Sequence, residues 1–165
     1  MKLKKQPDKT RGGDKPFPWL CGSCLKDEVR PATMRYGADV KHDGRMHHLT
    51  ISKMVVPKCG ACGELVFSNN TENQIRQALR VHLVLLTPLE IKEGRRELGL
   101  KKIALAKRLG VAAETISRWE SGALIQSRAM DNLLRVYFAV PEARAVLLGA
   151  DQDPKLGAAV VASST

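Results

Sequence analysis

The sequence lacks any run of 18 uncharged apolar residues, and its first 16 residues hold no apolar stretch of the kind that begins a signal peptide. The first absence excludes a membrane-spanning helix, and the second argues against export, so we expect a cytoplasmic protein. Aromatic residues are scarce, at 4% of the chain, although 44% is apolar, which is enough for a folded core. Acidic residues are outnumbered, with 17 Asp and Glu against 27 Lys and Arg, and the net charge is +10. This surplus favours a polyanionic partner.

The length of 165 residues suits one compact domain or two small ones. Strand-like patterns occupy the front half and helical patterns the back half, so we expect a mixed α+β protein. The two ends have no hydrophobic period and are expected to be disordered. The five predicted segments are a disordered basic arm (1–18), a cysteine-containing module (19–68), a linking helix (69–87), an all-α domain (88–149) and a disordered tail (150–165).

The cysteine-containing module shows the pattern of short strands and turns. Asp43-Gly44 accepts the positive φ angles of a type I′ turn, and apolar and polar residues alternate on both sides of it, which predicts a β-hairpin. Behind this module, residues 71–86 change to helical spacing, with Thr71 and Gln74 as a capping-box pair. Asn69-Asn70 is interpreted as a hinge before this linking helix.

Four cysteines form two Cys-x-x-Cys pairs: Cys21, Cys24, Cys59 and Cys62. In a chain without an export signal, such pairs indicate metal or redox chemistry rather than disulfides. Two residues between thiolates let a tight turn present both sulfurs to one ion at about 2.3 Å, so the pairs predict a tetrahedral four-cysteine site for one structural Zn2+. A module of about 50 residues is near the size limit for folding without such an ion. The alternative is a set of redox or adventitious thiols, although neither pair begins a helix in a βαβ unit.

Residues 88–149 are predicted to form five short helices, the first beginning at Pro88 and the third spanning about 112–121. An apolar seam joins the second helix to the third, and Gly110 can adopt the left-handed conformation at the turn between them. This arrangement predicts a helix-turn-helix whose third helix enters a DNA major groove. The seam consists of Leu105, Ala106, Leu109, Val111, Ile116 and Trp119.

Two stretches carry a family resemblance. LGLKKIALAKRLGVAAETISRWESG is similar to the Xre/Cro-type helix-turn-helix, with its LGL turn, LA pair, turn glycine and S-R-W-E-x-G ending. The double Cys-x-x-Cys with its VKHDG hairpin resembles the zinc domain of MqsA-family (YgiT-type) antitoxins. Taken together, in the order of zinc module, linking helix and Xre domain, the resemblance covers about residues 19–149.

The resemblance implies that the third helix of the all-α domain contacts DNA through Ala113, Glu114, Thr115 and Arg118. Arg118 is the main candidate for specificity, because a guanidinium matches guanine O6 and N7. Glu114 stands where the best-known form of the family has an asparagine, so it is expected either to accept from cytosine N4 or to repel phosphate. A solvated helix face is the alternative for these charges.

Outside the third helix, Lys101 and Lys102 replace the usual Ser/Thr-Gln pair of Xre domains. They form a weaker helix cap but are expected to face DNA phosphates, and Arg128 is a further expected DNA contact. Family geometry also implies that Arg95 pairs with Glu120 and so fixes the recognition helix.

The resemblance implies a regulator that represses its own operon by binding operator DNA, as the antitoxin of a type II toxin–antitoxin pair whose zinc module masks the toxin. The alternative is a stand-alone zinc and helix-turn-helix transcription factor without a toxin. An enzyme such as a thiol oxidoreductase is disfavoured, because the sequence has no nucleophile–base arrangement, no phosphate loop and no ligand set with an open metal position. Palindromic operators also imply a homodimer. Six apolar residues either form its surface or close the core: Leu133, Val136, Tyr137, Val140, Val146 and Leu147.

Overall fold

The computed structural model describes residues 16–149. Most of the expected basic arm, and all of the expected tail from residue 150, lie outside the described residues. The described chain divides into two compact units, one containing residues 16–41 and 46–79 and the other containing residues 80–149 with the hairpin turn 42–45. The mixed α+β class predicted from the sequence is confirmed.

The first unit is built on one antiparallel hairpin of β1 (Val29–His42) and β2 (Arg45–Cys59). Asp43 has φ 48° and Gly44 has φ 76°, the two successive positive values that a type I′ turn requires. The sequence pattern indicated short strands, whereas β1 and β2 have 14 and 15 residues. Less and more exposed residues alternate along most of β1, which is consistent with one face turned inward over its length.

Helix α1 (Asn69–His82) begins earlier than the expected capping pair. Its start is organised by Ser68 and Thr71, because the Glu72 N–H donates to the Ser68 carbonyl at 3.0 Å and the two hydroxyls lie 3.2 Å apart. Asn69-Asn70, interpreted as a hinge, forms the first turn of the helix instead. A hydroxyl pair at a helix start satisfies backbone groups that lack a partner within the helix.

Gln74 was expected to cap α1 and instead binds the backbone of β2. Its Oε1 accepts from the Val55 N–H at 2.9 Å, and its Nε2 donates to the Val55 carbonyl at 2.8 Å. The amide thus pairs with an exposed strand edge much as a neighbouring strand would. This double hydrogen bond holds α1 against β2 within the first unit.

The end of α1 at His82 comes four residues before the end of the helical spacing over 71–86. The cause is Val84, whose φ of 50° lies in the left-handed region. The Leu85 N–H donates to the Arg80 carbonyl at 3.0 Å, which is the hydrogen bond of a Schellman cap. Leu86 packs against the apolar core of the second unit although it lies beyond the helix. The apolar spacing in the sequence therefore extends further than the helix itself.

Replacing Val84 by glycine is expected to stabilise the second unit. A β-branched residue in the left-handed region is strained, and the Val84 side chain is 72% exposed, so its removal loses little burial. We expect a gain of about 1 kcal/mol after the entropy of the more flexible unfolded chain is subtracted. Thermal unfolding followed by circular dichroism measures it. Val81→Gly is the matched control, because Val81 is similarly exposed but helical, and this variant should lose stability; a fall for Val84→Gly as well would contradict the strain.

The second unit contains the end of α1 and five further helices. The sequence assigned five helices to the all-α domain. The described residues contain six helices, because α1 ends inside this unit and adds its last turn to α2–α6. The bounds are α2 (Pro88–Glu97), α3 (Lys102–Leu109), α4 (Ala113–Glu120), α5 (Arg128–Ala139) and α6 (Pro141–Gly149). None of the helices described is long and apolar enough to cross a membrane.

Local sequence explains how α2 and α3 are bounded. The Thr87 hydroxyl accepts from the Glu90 N–H at 3.2 Å and the Glu90 carboxylate accepts from the Thr87 N–H at 2.7 Å, so a complete capping box starts α2. Gly110 ends α3 with φ 66°, as the sequence predicts. The core that these helices enclose consists of Ile91, Leu105, Ala106, Leu109, Ile116, Trp119, Leu134 and Tyr137.

Candidate metal centre and nucleic-acid interface

The two Cys-x-x-Cys segments fold into matching turns. In the first, the Leu25 N–H donates to the Cys21 carbonyl and the Cys21 N–H donates to the Lys26 carbonyl, both at 2.9 Å. In the second, the corresponding bonds run from Gly63 to Cys59 at 3.0 Å and from Cys59 to Glu64 at 2.8 Å. The fifth position of each turn is left-handed, with φ 58° at Leu25 and 77° at Gly63. The sequence signals only the second of these, because glycine favours this conformation and leucine does not.

A short backbone contact links the two turns. The Gly60 N–H, in the second turn, donates to the Glu28 carbonyl, which follows the first turn, at 2.9 Å. Single bridges from Trp19 to Val29 and from Lys58 to Leu65 flank the first and the second turn, respectively. The fully buried residues of this cluster are Cys21, Val29 and Cys59. Two of these three residues are cysteines, so the apolar core beside the turns is very small.

All four sulfurs converge. The Cys21 and Cys62 sulfurs are 3.6 Å apart, as are those of Cys24 and Cys59, and all four lie within 4.8 Å of one another without forming a disulfide. A tetrahedral ion with sulfur ligands at about 2.3 Å would separate the sulfurs by about 3.8 Å. The spacing therefore fits one metal ion, and the four cysteines can bind one.

The electrostatics of the cluster also suit a cation. Backbone N–H groups of Cys24 and Ser23 lower the pKa of Cys21 to about 7. The backbone N–H of Glu64 acts in the same direction on Cys62, but desolvation and the neighbouring sulfurs outweigh it and raise the pKa of Cys62 to about 12. Four thiolates so close together repel one another, and a divalent cation removes that repulsion.

Helix α4 has one buried face and one exposed face. Ile116 and Trp119 are buried in the core, and Ala113 packs against the same cluster. Glu114 and Arg118 are exposed and lie one turn apart, whereas Thr115 is half-buried. Of the residues expected to read DNA, Glu114 and Arg118 are thus the two whose side chains project most fully from the helix.

The lysine pair before α4 divides into two different roles. Lys101 is exposed and occupies the N-cap of α3 without a side-chain cap. Lys102 was expected to face phosphates, but its ammonium donates to the Ser117 hydroxyl at 3.1 Å and lies 3.7 Å from a carboxylate oxygen of Glu120. Lys102 therefore ties the start of α3 to the side of α4.

Arg95 and Glu120 form a buried ion pair. The Arg95 Nε is 2.5 Å from Glu120 Oε1 and its terminal nitrogen is 3.1 Å from Oε2, while the other terminal nitrogen donates to the Leu100 carbonyl at 2.7 Å. The hydrogen bonds that Arg95 donates to the Glu120 carboxylate raise the pKa of Arg95. This two-pronged contact joins α2 to the last residue of α4.

Arg128, expected to contact DNA, has partners inside the unit. Its guanidinium donates to the Leu83 carbonyl and lies 3.6 Å from the carboxylate of Asp131, although the side chain remains 46% exposed. A guanidinium engaged with a backbone carbonyl and a carboxylate is held to the protein surface, which limits its reach towards a duplex.

Sequence reasoning missed a polar network centred on Asp131. Asp131 is fully buried and accepts from the Leu86 N–H at 2.7 Å, from Gln126 Nε2 at 3.0 Å and from Arg135 Nε at 2.7 Å. Gln126 also donates to the Leu86 carbonyl at 2.8 Å, and Arg135 donates to the Val84 carbonyl at 2.9 Å. Only the four-residue spacing of Asp131 and Arg135 was visible in the sequence.

Comparison with known proteins supports the helical site. Residues 91–142, from α2 to the start of α6, match a helix-turn-helix family model. Proteins of this kind are typically DNA-binding regulators without enzymatic activity. No curated protein matches the chain.

Proposed function

We propose that this protein is a sequence-specific DNA-binding transcriptional regulator that contains one structural Zn2+. The observation that carries the proposal is the exposed Glu114 and Arg118 face of α4 inside a segment that matches helix-turn-helix proteins. An arginine on the second helix of such a motif can hydrogen-bond both acceptors of guanine in the major groove. The net charge of +10 supports the same partner through attraction to phosphates.

Zinc is the metal we propose for the four-cysteine cluster. Four sulfur ligands in tetrahedral spacing are typical of structural Zn2+, and no ligand position is left for water or substrate. Bound there, the ion would supply cross-linking of the two Cys-x-x-Cys turns. Cys21 and Cys59 would hold it from the buried side, and Cys24 and Cys62 from the more exposed side.

The finer proposal is that the regulator is the antitoxin of a type II toxin–antitoxin pair and represses its own operon as a homodimer. Its support is the order of cysteine module and helix-turn-helix. For the dimer, Val136 on α5, Val140 between the helices and Val146 on α6 are exposed. Tyr137 is in the core, and Leu133 and Leu147 pack against it. A stand-alone regulator remains the alternative. Co-expression with the protein encoded next to it distinguishes the two, since an antitoxin would co-elute with that protein in gel filtration.

Arg118→Ala is expected to reduce sequence discrimination. We expect a loss of about 1–3 kcal/mol on the duplex that the wild-type protein enriches from a randomised pool, and little loss on a scrambled duplex, because a base contact matters only on the matching sequence. Fluorescence anisotropy on both duplexes measures the two affinities.

Lys101→Ala is the control for Arg118→Ala, because Lys101 is exposed at the start of α3 and is proposed to meet a phosphate. This variant should weaken binding to both duplexes equally and reduce the salt slope by about 1. If Arg118→Ala also weakens both duplexes equally, Arg118 contacts phosphate rather than bases. If selection from the pool enriches no sequence at all, the proposed regulator function is wrong.

A further inference from the structure

Arg80, on the last turns of α1, reaches the segment that follows the recognition helix α4. Its side chain is buried, with 3% of the residue exposed. One terminal nitrogen donates to two backbone carbonyls, those of Gly122 and Leu124, each at 3.1 Å. These two carbonyls belong to the turn between α4 and α5. A residue outside the helix-turn-helix match therefore contacts the turn that follows the helix that we propose reads DNA.

The turn contacted by Arg80 is itself bonded to Arg118. The Leu124 N–H donates to the Arg118 carbonyl at 3.1 Å, and the Ser121 hydroxyl donates to the same carbonyl at 3.2 Å. Gly122 has φ 77°, which allows the chain to reverse there. A shift of the turn would therefore move the backbone from which the Arg118 side chain extends.

The chemistry of the contact suits a guanidinium. Backbone carbonyl oxygens are strong hydrogen-bond acceptors, and the two that Arg80 binds compensate part of the cost of burying its cation. The planar guanidinium directs its N–H groups in fixed directions and can bind two carbonyls at once, whereas an ammonium offers a point charge on a flexible stem. The buried Arg80 thus acts as a fixed clamp on both carbonyls.

The segment that follows α1 is also held in place, and this fixes the position of Arg80. The backbone of Leu86 is bonded to the side chains of Asp131 and Gln126. The Val84 carbonyl accepts from Arg135. The end of α1 therefore cannot turn without breaking several hydrogen bonds to groups within the second unit.

We propose that Arg80 is a positioning residue that fixes the turn after α4 and thereby orients Arg118 for base recognition. The inference rests on the proposed DNA-binding function, and it extends the recognition machinery to the helix that precedes the matched domain. Arg80 itself touches no base; it acts through the two carbonyls and the backbone of Arg118.

The test compares Arg80→Met and Arg80→Lys with the control Arg76→Met. Arg76 lies one turn earlier on α1, and its described hydrogen bonds go to Glu72 and Asn73 of the same helix. Amide hydrogen exchange of the zinc-loaded full chain, read by NMR without DNA, is the first readout. We expect the Gly122 and Leu124 amides to exchange about tenfold faster in Arg80→Met, with core amides of α2 and α5 unchanged. Arg76→Met should leave all of them as in the wild type.

Affinity for the selected and scrambled duplexes is the second readout. We expect Arg80→Met to bind the selected duplex about tenfold more weakly and the scrambled duplex as the wild type does, since phosphate contacts tolerate a shifted recognition helix better than base contacts. Arg80→Lys should recover part of the affinity, and it decides the question if Arg80→Met fails to fold. Unchanged exchange at Gly122 and Leu124, or equal losses on both duplexes, would overturn the proposal. A different outcome is that the Gly122 and Leu124 amides exchange faster in Arg80→Met while selection from the randomised pool enriches no sequence. That result would overturn the DNA-binding function but leave the clamp of Arg80 on the turn intact.

Discussion

Removal of the proposed zinc ion from the four-cysteine cluster is expected to unfold residues 19–68 while α2 to α6 stay folded. Two of the three fully buried residues beside the Cys-x-x-Cys turns are cysteines, so little apolar burial remains around the turns once the metal is lost. The rest of this range adds four buried apolar side chains, those of Ala38, Leu49, Met54 and Val56. A structural Zn2+ contributes roughly 10–16 kcal/mol of apparent binding free energy, which exceeds what such a small core supplies. The helical unit has its own core of eight buried residues and should not depend on the metal.

Cys59→Ser and chelation of the wild-type protein test this prediction by different routes. Two-dimensional NMR of amide groups shows which residues lose their dispersed signals, and metal analysis shows whether the ion is gone. Ser23→Ala is the matched control, because Ser23 is exposed in the same kind of turn but offers no sulfur. Dispersed signals from residues 19–68 in metal-free protein would refute the structural role of zinc.

Replacing Asp131 by asparagine is expected to cost about 2–3 kcal/mol of stability in the helical unit. The asparagine keeps one oxygen for the Leu86 N–H, but its amide group would face the guanidinium of Arg135 without a negative charge. Breaking a fully buried ion pair costs about 3–5 kcal/mol. We expect less here because the side chains of Arg128 and Arg135 are 46% and 45% exposed and can return to water.

Thermal unfolding should show this loss as a midpoint lower by about 10–20 °C. Glu93→Gln is the matched control, since it removes a carboxylate from an exposed position of α2 and should change the midpoint little. Equal midpoints for Asp131→Asn and Glu93→Gln would mean that the buried carboxylate adds no stability.

The same substitution predicts a change in acid stability. Burial raises the pKa of Asp131, but hydrogen bonds from Arg135, Gln126 and the Leu86 N–H outweigh it and hold the pKa below its usual range. Its stabilising effect is therefore complete above the unfolded pKa of about 4 and is lost as the pH falls through the lower pKa of the folded state. The stability gap between wild type and Asp131→Asn should be constant above about pH 5 and shrink below about pH 4. A gap that does not shrink in acid would show that the charge of Asp131 is not what stabilises the fold.

Local patterns in the sequence predicted several elements because the cause of each is local. Asp43-Gly44 located the hairpin turn, since only residues that tolerate positive φ values fit there. Gly110 located the turn before α4 for the same reason. The spacing of the cysteines predicted that four sulfurs meet, and they do so within 4.8 Å.

Features set by distant contacts could not be read from the sequence. The end of α1 depends on a left-handed Val84, a conformation that no propensity assigns to a β-branched residue. The contacts of the Lys102 ammonium with Ser117 and Glu120 arise only when the fold brings α3 and α4 together. Arg80 and its two carbonyls are more than forty residues apart along the chain, so no short pattern links them.

The clamp formed by Arg80 sets a limit on how the protein can be shortened. A fragment cut at Pro88, where the capping box begins α2, would keep all of the matched segment 91–142. It would nevertheless lose the guanidinium that binds Gly122 and Leu124, and it would leave the carboxylate of Asp131 without its Leu86 partner. The smallest autonomous DNA-binding piece should therefore retain α1 from about Asn69, and orthologous chains trimmed to the matched segment alone would be expected to give misleadingly weak binding.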